Sequence, residues 1–265
     1  MTPDPEKVAA LLRRAANEII LPRFRNLQKD EIREKAPGDF VTIADTEAEQ
    51  MLGPSLRALA PGSVVVGEEA VAVDADVLDH LSAEGVWLID PVDGTYNFAH
   101  GNPNFAVMAA YVDRGRVRGG WIHEPVENET VWAMTDEGAW HGTERLRLAA
   151  PPPPEQMIGS VSGRTPNGSR ARDLLQSRRA FGPLVNIRCA GRTYTGLARG
   201  QIHYAYFSRS RPWDHAAGWL IYDEAGGRGA FLDGADYTPR RADHPLLMAP
   251  DDAHWNEFRA LLTRA

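Results

Sequence analysis

The sequence predicts an α+β protein in which helices and sheets are stacked in layers and divided between two intimate subdomains. Its 265 residues, 43% of them hydrophobic and 25% charged, suffice for a sizeable core and exclude wholesale disorder. Segments with helical spacing alternate with short apolar runs, which favours layers of helices and sheets. The prolines of Pro151–Pro154 cannot continue a helix or a central strand. We therefore expect one subdomain over residues 1–150 and a second over residues 151–265.

The N-terminal half is predicted to contain two helices, two covered strands and an antiparallel meander. Asp4 can cap a first helix whose apolar residues continue at helical spacing to Ile19, and a second helix is predicted from about Thr46. Ser63–Gly67 and Val86–Asp90 are nearly continuous apolar runs, as expected of strands covered on both faces. Antiparallel strands are predicted at Phe105–Asp113, Arg116–His123 and Thr130–Met134.

The C-terminal half alternates between strands and helices. Strands are predicted at Met157–Ser162, Leu184–Cys189, Ile202–Phe207, Gly229–Leu232 and Leu246–Met248. Helices are predicted at Arg170–Arg179, Thr193–Arg199, Trp213–Ala225 and Ala253–Leu262.

Composition excludes several classes of function. The chain carries 29 basic and 36 acidic residues, a net charge of −7, and has no Lys/Arg tract, which argues against nucleic acid as its main partner. No apolar run approaches the roughly 18 residues of a membrane span. The first residues lack the apolar core of a signal peptide, and the single cysteine, Cys189, fits a reducing compartment. A cytoplasmic protein is expected.

The informative residues are carboxylates at the ends of predicted strands and the starts of predicted helices. They are Asp45, Glu68, Glu69, Asp90, Asp93 and Asp214. Taken singly, Asp45 and Asp214 are better explained as helix N-caps, and Asp93 as part of an ordinary turn. Taken together, they supply the hard oxygen ligands that Mg²⁺ prefers.

The segment Asp90–Thr95 favours a metal and phosphate site. Pro91 biases Asp90 toward an extended conformation, which keeps its carboxylate at the strand tip. Gly94 permits a tight turn that can bring Asp93 beside Asp90. Thr95 opens the next segment, whose free N–H groups form a natural phosphate cradle.

Motifs spread along nearly the whole chain resemble the inositol monophosphatase family of Mg²⁺-dependent, lithium-sensitive phosphatases. They occur in the family's order as Asp39–Asp45, Gly67–Glu69, Trp87–Phe98 and Trp213–Gly218, with Glu224–Gly227 extending the last match. The resemblance implies the layered α-β-α-β-α sandwich of the sugar phosphatases, usually assembled as a homodimer. It also implies two or three Mg²⁺ ions per active site.

The resemblance assigns roles to residues of this chain. Glu68, Asp90 and the Val92 carbonyl would hold one metal, while Asp90, Asp93 and Asp214 would hold a second. Most metal ligands thus fall in residues 1–150, and residues 151–265 contribute Asp214 and substrate contacts.

Further roles concern the attacking water and the substrate. Asp45 and Thr95 resemble the pair that orients and deprotonates the water, and Lys35 resembles a basic residue of the same loop. The predicted substrate contacts are Asp93, Gly94, Thr95, Arg192 and Phe207.

The substrate is where the chain departs from the family. Inositol phosphatases of the family typically carry a Glu seven residues before the Asp of Trp-Asp, and this chain has Phe207 there, which cannot accept a hydrogen bond from a hydroxyl. Arg188–Tyr194 departs from the usual Gly-Ser/Thr-Ala pattern. Arg192, Arg209 and Arg211 either meet a second anionic group of the substrate or lie on the solvated rim. His123–Pro125 also replaces a common Asn-Pro.

The favoured function is a Mg²⁺-dependent phosphomonoesterase that hydrolyses a small polyol, sugar or amino-alcohol phosphate with a metal-activated water. The alternative enzymes are a histidinol-phosphate phosphatase, suggested by Phe207, and a bisphosphate nucleotidase or fructose-bisphosphatase, suggested by the arginines. A non-catalytic regulator on the same fold is the alternative from another class. The partner expected is a small phosphorylated metabolite, without nucleic acid or membrane.

Overall fold

The computed structural model describes residues 2–177 and 182–263. The helices are α1 (Pro5–Ala15), α2 (Ile43–Leu59), α3 (Glu68–Val73), α4 (Thr95–Ala99), α5 (Ala171–Ser177), α6 (Ala190–Ala198), α7 (Pro212–Glu224) and α8 (Asp252–Thr263). The strands are β1 (Ile32–Ala36), β2 (Asp39–Thr42), β3 (Val64–Gly67), β4 (Val86–Asp93), β5 (Ala106–Asp113), β6 (Arg116–Glu124), β7 (Glu129–Met134), β8 (Gly138–His141), β9 (Glu144–Leu146), β10 (Gly159–Val161), β11 (Leu184–Val185), β12 (Tyr204–Phe207), β13 (Arg228–Phe231) and β14 (Leu246–Ala249).

The described strands form two large sheets and one hairpin. A seven-stranded sheet runs in chain order from β3 to β9, with β3 and β4 parallel and every later pair antiparallel. A five-stranded mixed sheet has the order β11-β10-β12-β14-β13. Strands β1 and β2 pair only with each other. The prolines 151–154 separate the strands of the two large sheets.

Three hydrophobic cores hold the layers together. Helices α1 and α2 pack on one face of the seven-stranded sheet, around Leu12, Leu52 and Trp87. Helices α6 and α7 fill the space between the two sheets, where Tyr194 and Leu220 are buried. Helices α5 and α8 cover the outer face of the five-stranded sheet. The order is therefore α-β-α-β-α, which confirms the predicted layered sandwich.

Several predicted elements differ from those observed. The second helix begins at Ile43, not near Thr46, because Thr42 is its N-cap. The predicted strand Leu184–Cys189 is observed only as β11, and the positive φ of 55° at Arg188 shows that the chain is not extended as far as Cys189. The predicted helix Arg170–Arg179 is observed as α5, and its last residues lie outside the described part of the chain. No pattern in the sequence analysis had indicated β1, β2, α3, β8 or β9.

None of the helices in residues 2–177 and 182–263 combines the length and hydropathy required to cross a bilayer.

Candidate active site

Three carboxylates from three elements meet where β3 ends. Glu68 is the first residue of α3, directly after β3, and Asp90 lies in β4. Gly67 pairs with Ile89 in the parallel register of these strands, so the residues that follow them are neighbours. Asp214 reaches the same place from the first turn of α7. One oxygen from each carboxylate lies within 4.8 Å of the other two, and we call Glu68, Asp90 and Asp214 the acidic cluster.

Burial and mutual repulsion destabilise the charged form of the acidic cluster. Asp90 is only 2% exposed. Burial raises its pKa well above the usual value, and the negative charges of Glu68 and Asp93 raise it further. Burial likewise raises the pKa of Asp214, again reinforced by Glu68 and Asp93. A divalent cation would remove this repulsion, and the all-oxygen donor set fits Mg²⁺.

Lys35 contributes a positive charge at the edge of the cluster. Its Nζ donates hydrogen bonds to Glu68 Oε1 at 2.9 Å and to Glu69 Oε1 at 3.1 Å. Burial alone would lower the pKa of Lys35, but the two carboxylates outweigh it and raise the pKa overall. The structure thus places Lys35 beside a predicted metal ligand, from strand β1.

Asp93 lies at the border of the cluster and is held by the start of α6. Its Oδ1 accepts a hydrogen bond from the Ala190 N–H at 3.1 Å, and its Oδ2 accepts one from Cys189 Sγ at 2.9 Å and another from the Gly191 N–H. Burial raises the pKa of Asp93, although these three donors oppose the rise. Asp93 therefore does not join the close group of oxygens formed by Glu68, Asp90 and Asp214.

Asp45 and Thr95 form a second polar pair beside the cluster. Thr95 Oγ1 lies 3.1 Å from Asp45 Oδ1 and 2.9 Å from the Val92 carbonyl oxygen, so either oxygen can accept its proton. Asp45 Oδ2 accepts hydrogen bonds from the Thr42 N–H at 2.8 Å and the Thr42 hydroxyl at 2.5 Å. Burial raises the pKa of Asp45 to about 7. A carboxylate with that pKa can take up and release a proton near neutral pH.

The alternative that Asp45 and Asp214 are merely N-caps is wrong in detail. Each is the third residue of its helix, and Thr42 and Arg211 occupy the N-cap positions. The first turn of a helix favours negative charge, which helps to explain why these carboxylates tolerate burial.

Gly94 allows the chain to turn between Asp93 and Thr95. Its φ is +86°, and a Cβ at this position would lie 2.9 Å from the Asn104 carbonyl oxygen. Any other residue would be strained and would collide with backbone. The turn brings Thr95 to the start of α4, facing Asp45.

A cavity of about 540 Å³ opens beside Asp93 and Asp214. Phe207 lines it and stacks on Tyr194 with 5.2 Å between ring centroids. The cavity is also lined by arginines, namely Arg172, Arg188, Arg209 and Arg211.

Arg192, predicted to contact substrate, does not line this cavity. Its guanidinium forms ion pairs with Glu124 at 3.1 Å and with Glu127 at 2.9 Å. Glu124 is 1% exposed, so Arg192 neutralises a buried charge. The predicted contact of Arg192 with substrate is therefore not supported by its position in this structure, and the sequence does not show that helix α6 directs Arg192 toward the end of β6.

Sequence reasoning also missed Glu49. Its carboxylate accepts hydrogen bonds from the N–H groups of Glu69 at 3.0 Å and Ala70 at 2.9 Å, and thereby fixes the start of α3. Gly67 makes room for it, since a Cβ there would lie 2.3 Å from the Glu49 carboxylate. The four-residue spacing from Asp45 to Glu49 was the available signal, because it places both on one helix face.

Comparison with known proteins shows which proteins this chain is similar to. The model of the inositol monophosphatase family matches residues 4–260. A fructose-1,6-bisphosphatase/inositol-1-monophosphatase of Thermotoga maritima is 34% identical over 189 residues, which cover 71% of this chain and 70% of that protein. A Nus factor SuhB of Pseudomonas aeruginosa is 33% identical over 232 residues, 83% of this chain and 82% of its own. Among solved structures, a Thermotoga maritima IMPase superposes with a TM-score of 0.81 at 27% identity, covering 96% of this chain and 94% of that one.

Proposed function

The chain belongs to the inositol monophosphatase family, and from this premise we propose that it is a Mg²⁺-dependent phosphomonoesterase of a small polyol, sugar or amino-alcohol phosphate. The observation that carries the proposal is the acidic cluster, in which the buried Asp90 and the half-buried Glu68 and Asp214 bring carboxylate oxygens within 4.8 Å of one another. Lys35 provides one hydrogen-bonding cation for it, which leaves negative charge for divalent metal to neutralise.

We assign the metal ligands as the family resemblance implies. Glu68, Asp90 and the Val92 carbonyl would hold one cation, and Asp90 and Asp214 would hold a second with Asp93. Cations bound there supply the positive charge that an approaching phosphate dianion and a departing alkoxide require. To bind the metal, Asp93 would have to give up some of the hydrogen bonds that it accepts from Cys189 and from the start of α6.

Asp45 and Thr95 are assigned to the attacking water. When Thr95 donates its proton to Asp45 Oδ1, the lone pairs of Thr95 Oγ1 are free to accept a proton from water. The water's proton then passes to Thr95 Oγ1 while the Thr95 proton moves to Asp45, whose pKa of about 7 suits a general base. The backbone N–H groups of Gly94 and Thr95 are assigned to the scissile phosphate.

Phe207 is assigned to substrate selection. It lines the cavity, and its ring packs on Tyr194 and edge-on against His215. Burial lowers the pKa of His215 to about 3, so this wall is uncharged at neutral pH. We therefore expect inositol 1-phosphate to be a poor substrate and Phe207→Glu to raise its kcat/KM relative to other esters. Phe207→Leu, which keeps an apolar side chain, is the matched control.

The deciding experiment measures phosphate released from a panel of phosphate monoesters with Mg²⁺ present and absent. The panel includes inositol 1-phosphate, histidinol phosphate, sugar phosphates and a nucleoside bisphosphate. Release that requires Mg²⁺ and is lost in Asp90→Asn supports the proposal. Release that is unchanged by metal removal, or no release from any ester, contradicts it. Inhibition by LiCl is a secondary expectation from the family resemblance.

The similarity to a protein named Nus factor SuhB favours a second candidate, a regulator that uses the fold without catalysis. The net charge of −7 argues against direct RNA binding as its main activity. Retention of Mg²⁺ binding without hydrolysis of any ester in the panel would favour this candidate.

A further inference from the structure

The cavity beside Asp93 and Asp214 is basic, although the chain as a whole is acidic. The net charge is −7, yet Arg172, Arg188, Arg209 and Arg211 line this one cavity. The carboxylates lining it are those of Asp93 and Asp214, which the proposed function assigns to bound cations.

Within the described residues, no carboxylate forms an ion pair with Arg172, Arg188 or Arg209, and Arg211 has only a distant one. Arg172 donates a hydrogen bond to the neutral Val185 carbonyl at 3.2 Å, and the Arg188 guanidinium lies over the Tyr96 ring at 4.1 Å. Arg211 is 3.8 Å from Asp39, at the outer limit of an ion pair. Arg209 is solvent-exposed.

Arg192 and Arg199, by contrast, are neutralised by close carboxylates. Each pairs with the buried Glu124 at 3.1 Å, and Arg199 also pairs with Glu129 at 3.0 Å. The cavity arginines therefore retain positive charge and donors for a ligand.

We propose that this cavity binds a second anionic group of the substrate, so that the substrate is a phosphomonoester that also carries a phosphate or a carboxylate. This inference rests on the proposed phosphatase function. The scissile phosphate would lie at the acidic cluster and Thr95, and the second anion would lie against the arginines. A cavity of about 540 Å³ suits a small metabolite. Guanidinium groups bind phosphate and carboxylate through paired hydrogen bonds.

The test compares matched straight-chain diol esters of increasing length. Each diol is supplied as its monophosphate, as its bisphosphate and as the monophosphate whose free end is oxidised to a carboxylate. We expect kcat/KM for one of the two esters with a second anionic end to exceed that of the monophosphate by about tenfold at the best length, the size of one charge-assisted hydrogen bond. The bisphosphate and carboxylate arms identify which anion is preferred.

Arg209→Gln and Arg172→Gln should reduce that preference by about tenfold each, since each removes one charged donor. Arg147→Gln removes the same charge from an exposed position outside the cavity and should leave the preference intact. Equal kcat/KM for all three esters at every length would overturn the inference. Preference lost equally in Arg147→Gln would also overturn it, because net charge would then be the cause.

Calorimetric dissociation constants separate this inference from the proposed function. With Ca²⁺ in place of Mg²⁺, the wild-type protein should bind the preferred ester about tenfold more tightly than the monophosphate. That difference, in a protein that hydrolyses no ester, would contradict the phosphatase proposal and support the anion site. Hydrolysis without any difference in affinity or kcat/KM between the esters would support the phosphatase proposal and contradict the anion site.

Discussion

Two regions of the protein bury carboxylates, and they treat the buried charge differently. At the end of β6, Glu124 is 1% exposed and is neutralised within the chain. Arg192 and Arg199 each approach it to 3.1 Å, and the Thr195 hydroxyl donates a further hydrogen bond. A buried acid with two guanidinium partners is complete as it stands and has no need of a ligand.

In the part of the chain that the structure describes, no guanidinium group forms an ion pair with the acidic cluster. Glu68, Asp90 and Asp214 lie together, with Lys35 hydrogen-bonded to Glu68. Burial and repulsion raise the pKa of Asp90 and of Asp214 well above the usual value. The difference between the regions shows that burial of acids alone does not indicate function. What indicates a metal site is negative charge that the protein's own cations do not balance.

Asp90→Asn should have the largest effect and tests whether the acidic cluster differs from the Glu124 region as described. We expect hydrolysis to fall by about 10³-fold or more. The amide preserves shape but removes the charge shared between the two assigned cations. Because the substitution also removes repulsion, the free energy of unfolding of the metal-free protein should not decrease. Phosphate release and chemical denaturation measure the two effects. Turnover near that of the wild type at saturating Mg²⁺ would contradict the assignment of Asp90 as a metal ligand.

The pH dependence of stability in the metal-free protein gives the next largest effect. The usual pKa of 3.8 for Asp45 rises to about 7 through burial, so folded Asp45 keeps its proton while the unfolded chain releases it. Stability should therefore fall as pH rises from about 4 to 7, by up to about 4 kcal/mol from this group. Asp45→Asn should flatten this part of the profile and abolish hydrolysis. Chemical denaturation in the presence of a chelator, at several pH values, measures the free energy of unfolding of the wild type and of Asp45→Asn. Parallel pH profiles for these two proteins would contradict the role given to Asp45.

Glu124→Gln is the matched change in the internally neutralised region. It removes the carboxylate shared by Arg192 and Arg199, which should lower the free energy of unfolding by about 3 kcal/mol. Glu127→Gln is the control, since it removes the exposed partner of Arg192 and should cost less than about 1 kcal/mol. Neither change should alter the dependence of hydrolysis on Mg²⁺ concentration. A marked shift in that dependence for Glu124→Gln would show that the two regions are not separate.

The sequence was sufficient to predict the carboxylates of the acidic cluster because their signals are local. Glu68 directly follows an apolar strand, Asp90 ends the apolar run at the start of β4, and Asp214 lies in the first turn of a helix, so their positions follow from the predicted elements. The layered order of the sheets came from the family resemblance and is confirmed by the three cores.

The rest depended on contacts between distant residues. The pairing of Arg192 with Glu124 links α6 to the end of β6, and no local pattern indicates it. The pairing does give a structural reason for Glu124, which stands where an Asn before Pro is common in the family. Burial keeps His123 beside it neutral, with a pKa of about 4. The hairpin β1–β2 was missed because its strands are short and neither alternates clearly between buried and exposed residues.

The central claim is that the acidic cluster is completed by a divalent cation, and Mg²⁺-linked stability tests it most directly. Thermal unfolding of the wild-type protein, recorded across a series of Mg²⁺ concentrations at pH 7.5, should show a Tm that rises with the logarithm of Mg²⁺ concentration. At 100 times the dissociation constant, one site contributes about 2.7 kcal/mol. Glu124→Gln should begin from a lower Tm and show the same rise, whereas Asp90→Asn should show little. A wild-type Tm that does not respond to Mg²⁺, or a full response in Asp90→Asn, would contradict the account.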